Sequence, residues 1–489
     1  MRRTDFLIFL FLLLFFKQVT AQSYTGYDVS SYTGVYGTLY NPANILDHRF
    51  RADINLIGYS AGIQNNTIKI DFGDKDDPVK TANPIMRNGR GGALVDVMGP
   101  GFILRLNDKN AIAVTSRFRV TANTDKLDES LLNILVQDDP TVFTGRTIKL
   151  TSGSLQAHSW NEVAFTYSRQ IGVTDYGVWR AALSLKLLGG QGAAYLTTNH
   201  LSFTYNDSIR VDAAEQLKYG GAQNASGNIN INYADFMDDW DDHYQYKFLR
   251  QPGVGADIGV TYEYRDMMQI YETAYNEETL NYKWKAGASV SDIGSIRYRS
   301  SVNSYNTHLS GQSYVFEDLR PPSDSNSLVS IANFYKRKFP GTQSDTHFSM
   351  ALPTTLHLTF DYSFNQWLSA AAHFLMPVML SEAPYYIGTH SLAQLSVTPR
   401  AELSWAGFYL PLTYQFAGGF QTGAALRLGP LTIGSASLIN LGLLRKTKSA
   451  DAYFILRIPF FKYHPYETEE VPQNIKLSRR ARKELNCPQ

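Results

Sequence analysis

Ser369 and His373 stand four residues apart, and His357 and Ser363 lie just upstream. On two paired strands these side chains would meet, and a serine beside a histidine can act as nucleophile and base. Ordinary polar wall residues would look the same, and no oxyanion donor can be located from the sequence. Five aspartates, Asp235, Asp238, Asp239, Asp241 and Asp242, crowd around Trp240. Their hard carboxylate oxygens could hold calcium, with Asp238, Asp239, Asp241 and Asp242 as the metal candidates. A solvated acidic loop is the plainer explanation, because neither EF-hand spacing nor a turn glycine accompanies them.

The elements that carry these groups alternate with period two. From Ala256 to Tyr264 the even positions are Ala, Ile, Val, Tyr and Tyr, and the odd positions from Asp257 to Glu263 are Asp, Gly, Thr and Glu. The same alternation runs through Leu356–Phe364, Trp179–Leu187, Tyr282–Val290, Ile112–Val120 and Thr422–Leu428. Each is a strand with one apolar and one polar face. Many runs last about nine to eleven residues, the length a tilted strand needs to cross a bilayer. Short turns join several of them, at Asn107–Asn110, Val173–Gly177, Asn365-Gln366 and Gly429-Pro430. Long polar segments, 64–98, 212–254 and 306–350, separate others. This layout predicts an all-β fold, a transmembrane antiparallel β-barrel of about 14 strands within a range of roughly 12–16. Its closing strand is Ala452–Phe461, with Arg457 turned to the lumen.

In such a barrel the polar parity gathers a basic set inside: Arg105, Arg117, Arg119, Arg180, Lys186, Lys283, Lys285, Arg297, Arg299, Arg427 and Arg457. Asp257, Glu263 and Asp361 share those faces. Two readings stand open, an anion-biased pore and an internal ion-pair network that fills a closed lumen. The same parity turns Ser369 and His373 inward, away from any lipid substrate, so no enzyme is expected.

Composition agrees. The 489 residues carry 45 basic and 44 acidic side chains, a net charge of +1, which argues against nucleic-acid binding by bulk electrostatics. Aromatics reach 13%, with 31 Tyr and 27 Phe. The single Cys487 excludes an intrachain disulfide framework and any multi-cysteine metal site. No cofactor is expected. Arg2 and Arg3, the apolar run Phe6–Phe16 and Val19-Thr20-Ala21 read as a secretory signal peptide cleaved after Ala21. Its removal leaves 42 basic and 43 acidic residues. The expected organisation is signal peptide 1–21, an N-terminal periplasmic or lumen segment 22–50, the barrel 51–463 and a basic periplasmic tail 464–489. The expected location is the outer membrane of a Gram-negative bacterium.

Leu395-Ser-Val-Thr-Pro-Arg400 running into Phe408-Tyr-Leu-Pro-Leu412, Gly423–Gly434 and Ser291-Asp-Ile-Gly-Ser295 resemble a family of uncharacterised Bacteroidota outer-membrane barrels. The resemblance covers nearly all of the mature chain. Asn41-Pro42-Ala43 is similar to a triplet in FadL-type fatty-acid transporters and in PorV-type subunits of a secretion system. The resemblance implies a barrel of about 14 strands with its N-terminal segment near or inside the lumen, where Asn41 and Pro42 are the hatch candidates. Some relatives append a peptidoglycan-binding domain; with 28 residues after Phe461, none is expected here.

Three further segments carry expectations. Leu127, Leu131, Leu132, Ile134 and Leu135 predict an amphipathic helix after Thr124, and Ser325–Lys338 predicts an ordered insertion. The tail, with Arg479, Arg480, Arg482 and Lys483, offers a partner-binding surface for peptidoglycan or envelope proteins, beside the outer-membrane lipid that surrounds the barrel. The function expected is that of a non-enzymatic structural or accessory subunit of an envelope complex. A FadL-like passive transporter or channel for hydrophobic or anionic small molecules is the alternative.

Overall fold

The computed structural model describes residues 24–47, 50–66, 68–71, 79–81, 89–128, 143–212, 217–239, 245–265, 282–319, 321–322, 328–378, 387–444 and 446–462. Alternating side chains leave each strand one face for lipid and one for the interior, so the ladder can satisfy its backbone only by closing on itself. It does so with 14 wall strands, several of them interrupted by a bulge. They are β1 (Phe50–Asn65), β2 (89–107), β3 (Asn110–Leu127), β4 (147–173), β5 (Gly177–Asp212), β6 (217–264, with 234–250 leaving the ladder) and β7 (284–315). There follow β8 (342–363), β9 (Leu368–Pro377), β10 (Gln394–Glu402), β11 (406–415), β12 (419–428), β13 (Leu431–Ser435) and β14 (Ser449–Lys462). All neighbours are antiparallel, and β14 pairs with β1 at Ile54↔Ile458 and Asp53↔Pro459. No helix among the described residues is long and apolar enough to cross a membrane.

The outward faces form an apolar belt: Leu183, Leu185 and Leu187 on β5, Ile258 on β6, Leu358 and Phe360 on β8, and Phe454, Ile458 and Phe460 on β14 are all exposed. A contiguous apolar surface on this scale marks a membrane contact. Toward the short-turn end, Trp179, Tyr262, Trp284 and Phe360 line up across four strands, with ring centroids 4.7, 5.3 and 6.0 Å apart. That row is the aromatic girdle of an outer-membrane barrel.

The wall is lopsided. β5 has 36 residues and β9 has 10. At about 3.3 Å per residue, that is roughly 120 Å of strand against roughly 33 Å. β4 to β8 therefore stand above the belt, cored by Phe143, Ile148, Leu201, Phe203, Tyr205 and Leu309. This corrects the segments read as long loops. Strand residues 89–98, Leu217–Tyr233 and Tyr305–Val315 run through all three. Above the belt a strand has no lipid face, so its sequence loses the apolar alternation that betrays it. Of the helix expected after Thr124, Leu127 belongs instead to the end of β3; Leu131, Leu132, Ile134 and Leu135 lie outside the described residues. The other insertion contains a helix, Leu328–Lys338. Residues 265–283 connect β6 and β7 on the side of the short turns, so that side is not uniformly short.

Candidate functional site: a plugged lumen

Residues 24–47 carry no alternation and do not join the ladder. They enter the lumen as turns and two 3-10 segments, Gly34–Leu39 and Pro42–Leu46. Asn41 caps the second, its Oδ1 accepting from the Ala43 N–H at 3.0 Å, and Pro42 sits where a missing N–H costs nothing. Tyr24, Tyr27, Tyr36, Ile45 and Leu46 are fully buried. Burial drives the phenols of Tyr24, Tyr36 and Tyr40 well above their ordinary range, so they remain protonated.

The wall is shaped to receive this plug. Asn41 Nδ2 donates to the carbonyls of Val260 (3.0 Å) and Ala288 (3.3 Å). A Cβ on Gly259 would stand 2.1 Å from Asn41 Oδ1, and a Cβ on Gly58 would stand 1.8 Å from the Tyr36 hydroxyl. Glycine at these two positions lets the plug approach the strands closely.

Ion pairs then fasten it. Arg457 on β14 donates to Tyr27 Oη at 2.9 Å and to Asp53 on β1 at 3.0 Å, and Asp53 also accepts from the Val35 N–H at 3.2 Å. Asp47 meets Lys285 and lies 3.9 Å from Arg180, which is itself paired with Glu263. Burial and then the Glu263 carboxylate push Asp47 up to about 7, against the pull of Lys285 and Arg180. Arg105 donates to the Leu46 carbonyl, and Ser30 donates to Glu402. Arg427 caps the carbonyls of Ser404 (3.1 Å) and Ala406 (3.0 Å) beneath the Tyr32 ring.

Above the plug the charges close on one another. Arg117 bridges Asp96 and Glu162, Arg119 reaches Asp292 at 2.7 Å, and Lys186 joins Asp257 (2.7 Å) to Asp292 (2.6 Å). At the short-turn end, level with the plug, Arg400, fully buried, holds Asp361 at 2.6 Å and Glu402 at 2.8 Å. On the outer side, residues 387–391 fold down as a lid. Thr389 bonds Thr121 at 2.6 Å, Gly388 N–H donates to Gln156 at 2.6 Å, and His390 exchanges two bonds with Asn123. His390 Nδ1 faces the Ser391 carbonyl at 3.0 Å and Nε2 faces Asp125 at 2.7 Å. Both acceptors suit a protonated ring. Burial is the largest single influence and works against that charge, but the Asp125 bond, the Asp125 charge and the Ser391 carbonyl together outweigh it, raising the His390 pKa.

Of the sequence-derived basic set, Arg105, Arg117, Arg119, Arg180, Lys186, Lys285, Arg427 and Arg457 are all buried on the inner face. Lys283, Arg297 and Arg299 are corrections. Lys283 lies at the rim with Nζ 5.2 Å over the Tyr362 ring, and Tyr282 takes the buried place instead. Arg297 and Arg299 are exposed on the outer face. β7 carries one extra residue opposite Asp257, with Ala256↔Ile293 followed by Ile258↔Val290, so Ser291 and Asp292 both turn inward and parity reverses beyond them. Asp292 takes a left-handed φ of 58° to do this, which an aspartate tolerates. The acids Asp53, Asp96, Glu162, Asp292 and Glu402, and Arg400, escaped the sequence reading. Arg400 alternates with buried Thr398 and Glu402, a signal that was available.

The histidines do meet, though not as expected. His357 Nδ1 is 3.0 Å from His373 Nε2, and His373 Nδ1 is 2.5 Å from Asp28 of the plug. The serine on His357 Nε2, at 2.9 Å, is Ser291 rather than Ser369. With Asp28 accepting, every proton in the chain points from Ser291 toward Asp28, an order that would polarise a nucleophile. Ser291 is buried, and Tyr40 of the plug packs edge-on against both imidazoles. Here the relay serves as a further fastening between plug and wall.

Asp238 accepts from Tyr233 (2.7 Å) and Ser301 (2.7 Å). The Asp239 side chain, Asp241 and Asp242 lie outside the described residues, as do the tail residues Arg479, Arg480, Arg482 and Lys483. Among the described residues no group of His, Cys, Asp or Glu is arranged to hold a metal.

A family model described as "Family of unknown function (DUF5723)" matches residues 42–436, and the chain belongs to that family. No curated protein matches. Among solved structures, a FadL homologue of Pseudomonas aeruginosa is 11% identical, with 90% of this chain and 98% of that one covered and a TM-score of 0.38. The toluene transporter TodX of Pseudomonas putida is 10% identical, with 91% and 100% covered and a TM-score of 0.32. The translocator domain of the autotransporter NalP from Neisseria meningitidis is 7% identical, with 83% and 89% covered and a TM-score of 0.24.

Proposed function

We propose that this member of the DUF5723 family is a sealed, non-enzymatic outer-membrane barrel that serves as a structural or accessory subunit of an envelope assembly. One observation carries the reading: the lumen is filled by residues 24–47 and by ion pairs whose members are buried on both sides. Breaking such a pair leaves a bare charge in a dry interior, at a cost of about 3–5 kcal/mol each, so passive traffic through the centre is opposed. The surfaces left for work are the lipid belt, the rims and the tall wall. The test has two parts. The full-length protein in a planar bilayer is expected to show no steady conductance. Gentle-detergent purification from native outer membranes is expected to bring near-equimolar partners that survive a salt wash, read by mass spectrometry. A barrel that purifies alone overturns the subunit role.

A second reading, a gated transporter, is favoured by one feature. The ladder closes through β1 and β14 without using the plug, so the plug can leave without any strand being broken. Conductance or uptake of hydrophobic or anionic solutes by the full-length protein would establish it.

A further inference from the structure

Where β6 leaves the ladder, Phe236 and Met237 pack against the inward-facing Trp160 and Tyr298, and the residues that lead back to the ladder lie on the other side. Residues 245–250 lie against the outer face of the wall. Asn161 Nδ2 donates to the Phe248 carbonyl at 3.3 Å, and Gln191 Nε2 donates to the Lys247 carbonyl at 2.7 Å. Gly189, directly beneath, makes the approach possible, since a Cβ there would stand 1.9 Å from the Phe248 carbonyl oxygen. Gly189 pairs with Asn161 two positions above the lipid-facing Leu187. The segment therefore rests at the upper edge of the apolar belt, with its carbonyls tied down and Tyr246, Phe248 and Leu249 exposed. Apolar side chains held at that height belong in the interfacial layer of a bilayer.

The same height is basic. The β6–β7 register Gly253↔Ile296 brings Arg297 and Arg299 level with the end of this segment, which carries Lys247 and Arg250. Arg297 and Arg299 point outward because of the one extra residue in β7. Arg299 is 72% exposed in its side chain and forms a long ion pair with Asp235 at 3.7 Å, which leaves most of its guanidinium open to solvent. Arg297 has no hydrogen-bond or ion-pair partner among the described residues. Arg250 stacks 4.7 Å from the Phe236 ring, which holds its guanidinium in place. His347 lies opposite Arg299 on β8 and is exposed. β1 begins and β14 ends at the opposite rim, where Phe50 pairs with Lys462 and the short turns lie, so this collar faces the outer leaflet.

We propose that residues 245–250 together with Arg297 and Arg299 form a binding site for a phosphorylated glycolipid of the outer leaflet. Tyr246, Phe248 and Leu249 border its acyl chains, and the arginine forks take its phosphates through charge-assisted hydrogen bonds. Charge complementarity and continuity with the lipid belt select this occupant. The site is independent of whether the lumen conducts or the barrel joins an assembly.

The test uses the delipidated full-length protein in detergent and native mass spectrometry. Bis-phosphorylated lipid A is expected to be retained at least tenfold better than the same lipid without phosphates. The pair Arg297→Glu and Arg299→Glu is expected to lower that retention tenfold or more. The pair Lys109→Glu and Arg169→Glu, exposed at the opposite rim, is expected to leave it unchanged. Heat-modifiable gel mobility reports folding, and Arg297→Gln with Arg299→Gln replaces the acidic pair should that pair misfold. Equal retention of the phosphate-free lipid, no loss in the arginine variants, or displacement by millimolar inorganic phosphate would each overturn the proposal, the last by making this a free-anion site.

Discussion

Arg457→Met removes one side chain at the point where the first strand, the last strand and the plug meet. Arg457 is 1% exposed and Asp53 is fully buried. Without the guanidinium, Asp53 keeps the Val35 N–H, and Tyr27 Oη loses its donor. Orphaning one member of a buried ion pair costs about 3–5 kcal/mol. At roughly 1.4 kcal/mol per tenfold change, that is about two to three and a half decades in the equilibrium for unseating the plug. Amide hydrogen exchange over residues 24–46, followed by mass spectrometry in detergent, reads that equilibrium directly. The single variant is expected to exchange at least about a hundredfold faster than the parent. The double variant Asp53→Asn with Arg457→Met removes both charges and is expected to recover most of the protection, because replacing a whole buried pair is often nearly neutral. Parent-like protection in Arg457→Met would refute the reasoning. So would a double variant no better protected than the single.

Three other outcomes are expected. Gly259→Val drives a side chain into Asn41 and Pro42 and should destabilise plug seating by about 1–3 kcal/mol, seen as faster exchange at residues 40–46 with barrel amides unchanged. His390 has a raised pKa, so its contribution is complete below the unfolded value of about 6.5 and is lost as pH rises through the folded value. Exchange in the 387–391 lid should therefore quicken as pH climbs above about 6.5, after correction for intrinsic rates, and His390→Gln should flatten that dependence. Leu185→Arg places a charge on the lipid face and should cost about 2–4 kcal/mol in refolding from urea into bilayers, whereas Gln223→Arg, exposed above the belt, should change little.

Strand existence and facing were legible wherever lipid imposes its pattern. Trp179–Leu187, Ala256–Tyr264, Leu356–Phe364 and Ala452–Phe460 alternate because one face must be apolar. The pattern fails where that demand stops. The tall wall is wet on one side and packed on the other, so Asn228–Tyr233 looked like a loop. A bulge is invisible to parity: one extra residue at Ser291-Asp292 was enough to send Arg297 and Arg299 to the wrong face. The plug was legible as an anomaly, a Tyr- and Gly-rich stretch without alternation, but its partners were not. Asp28 to His373 spans 345 residues, and nothing local in either segment names the other.

The contact between Tyr27 and Arg457 spans 430 residues, and that between Thr25 and Tyr453 spans 428. It ties events at opposite ends of synthesis. The segment made first finds its fastening only when the strand made last arrives, and the same strand closes the ladder against β1. Enclosure of the plug and completion of the cylinder are thus one step in time, delayed until the whole chain is present, and a topology so dominated by distant pairings folds slowly. Until then the plug's buried tyrosines and carboxylates must wait unpaired, so the nascent chain is most vulnerable just before it is finished.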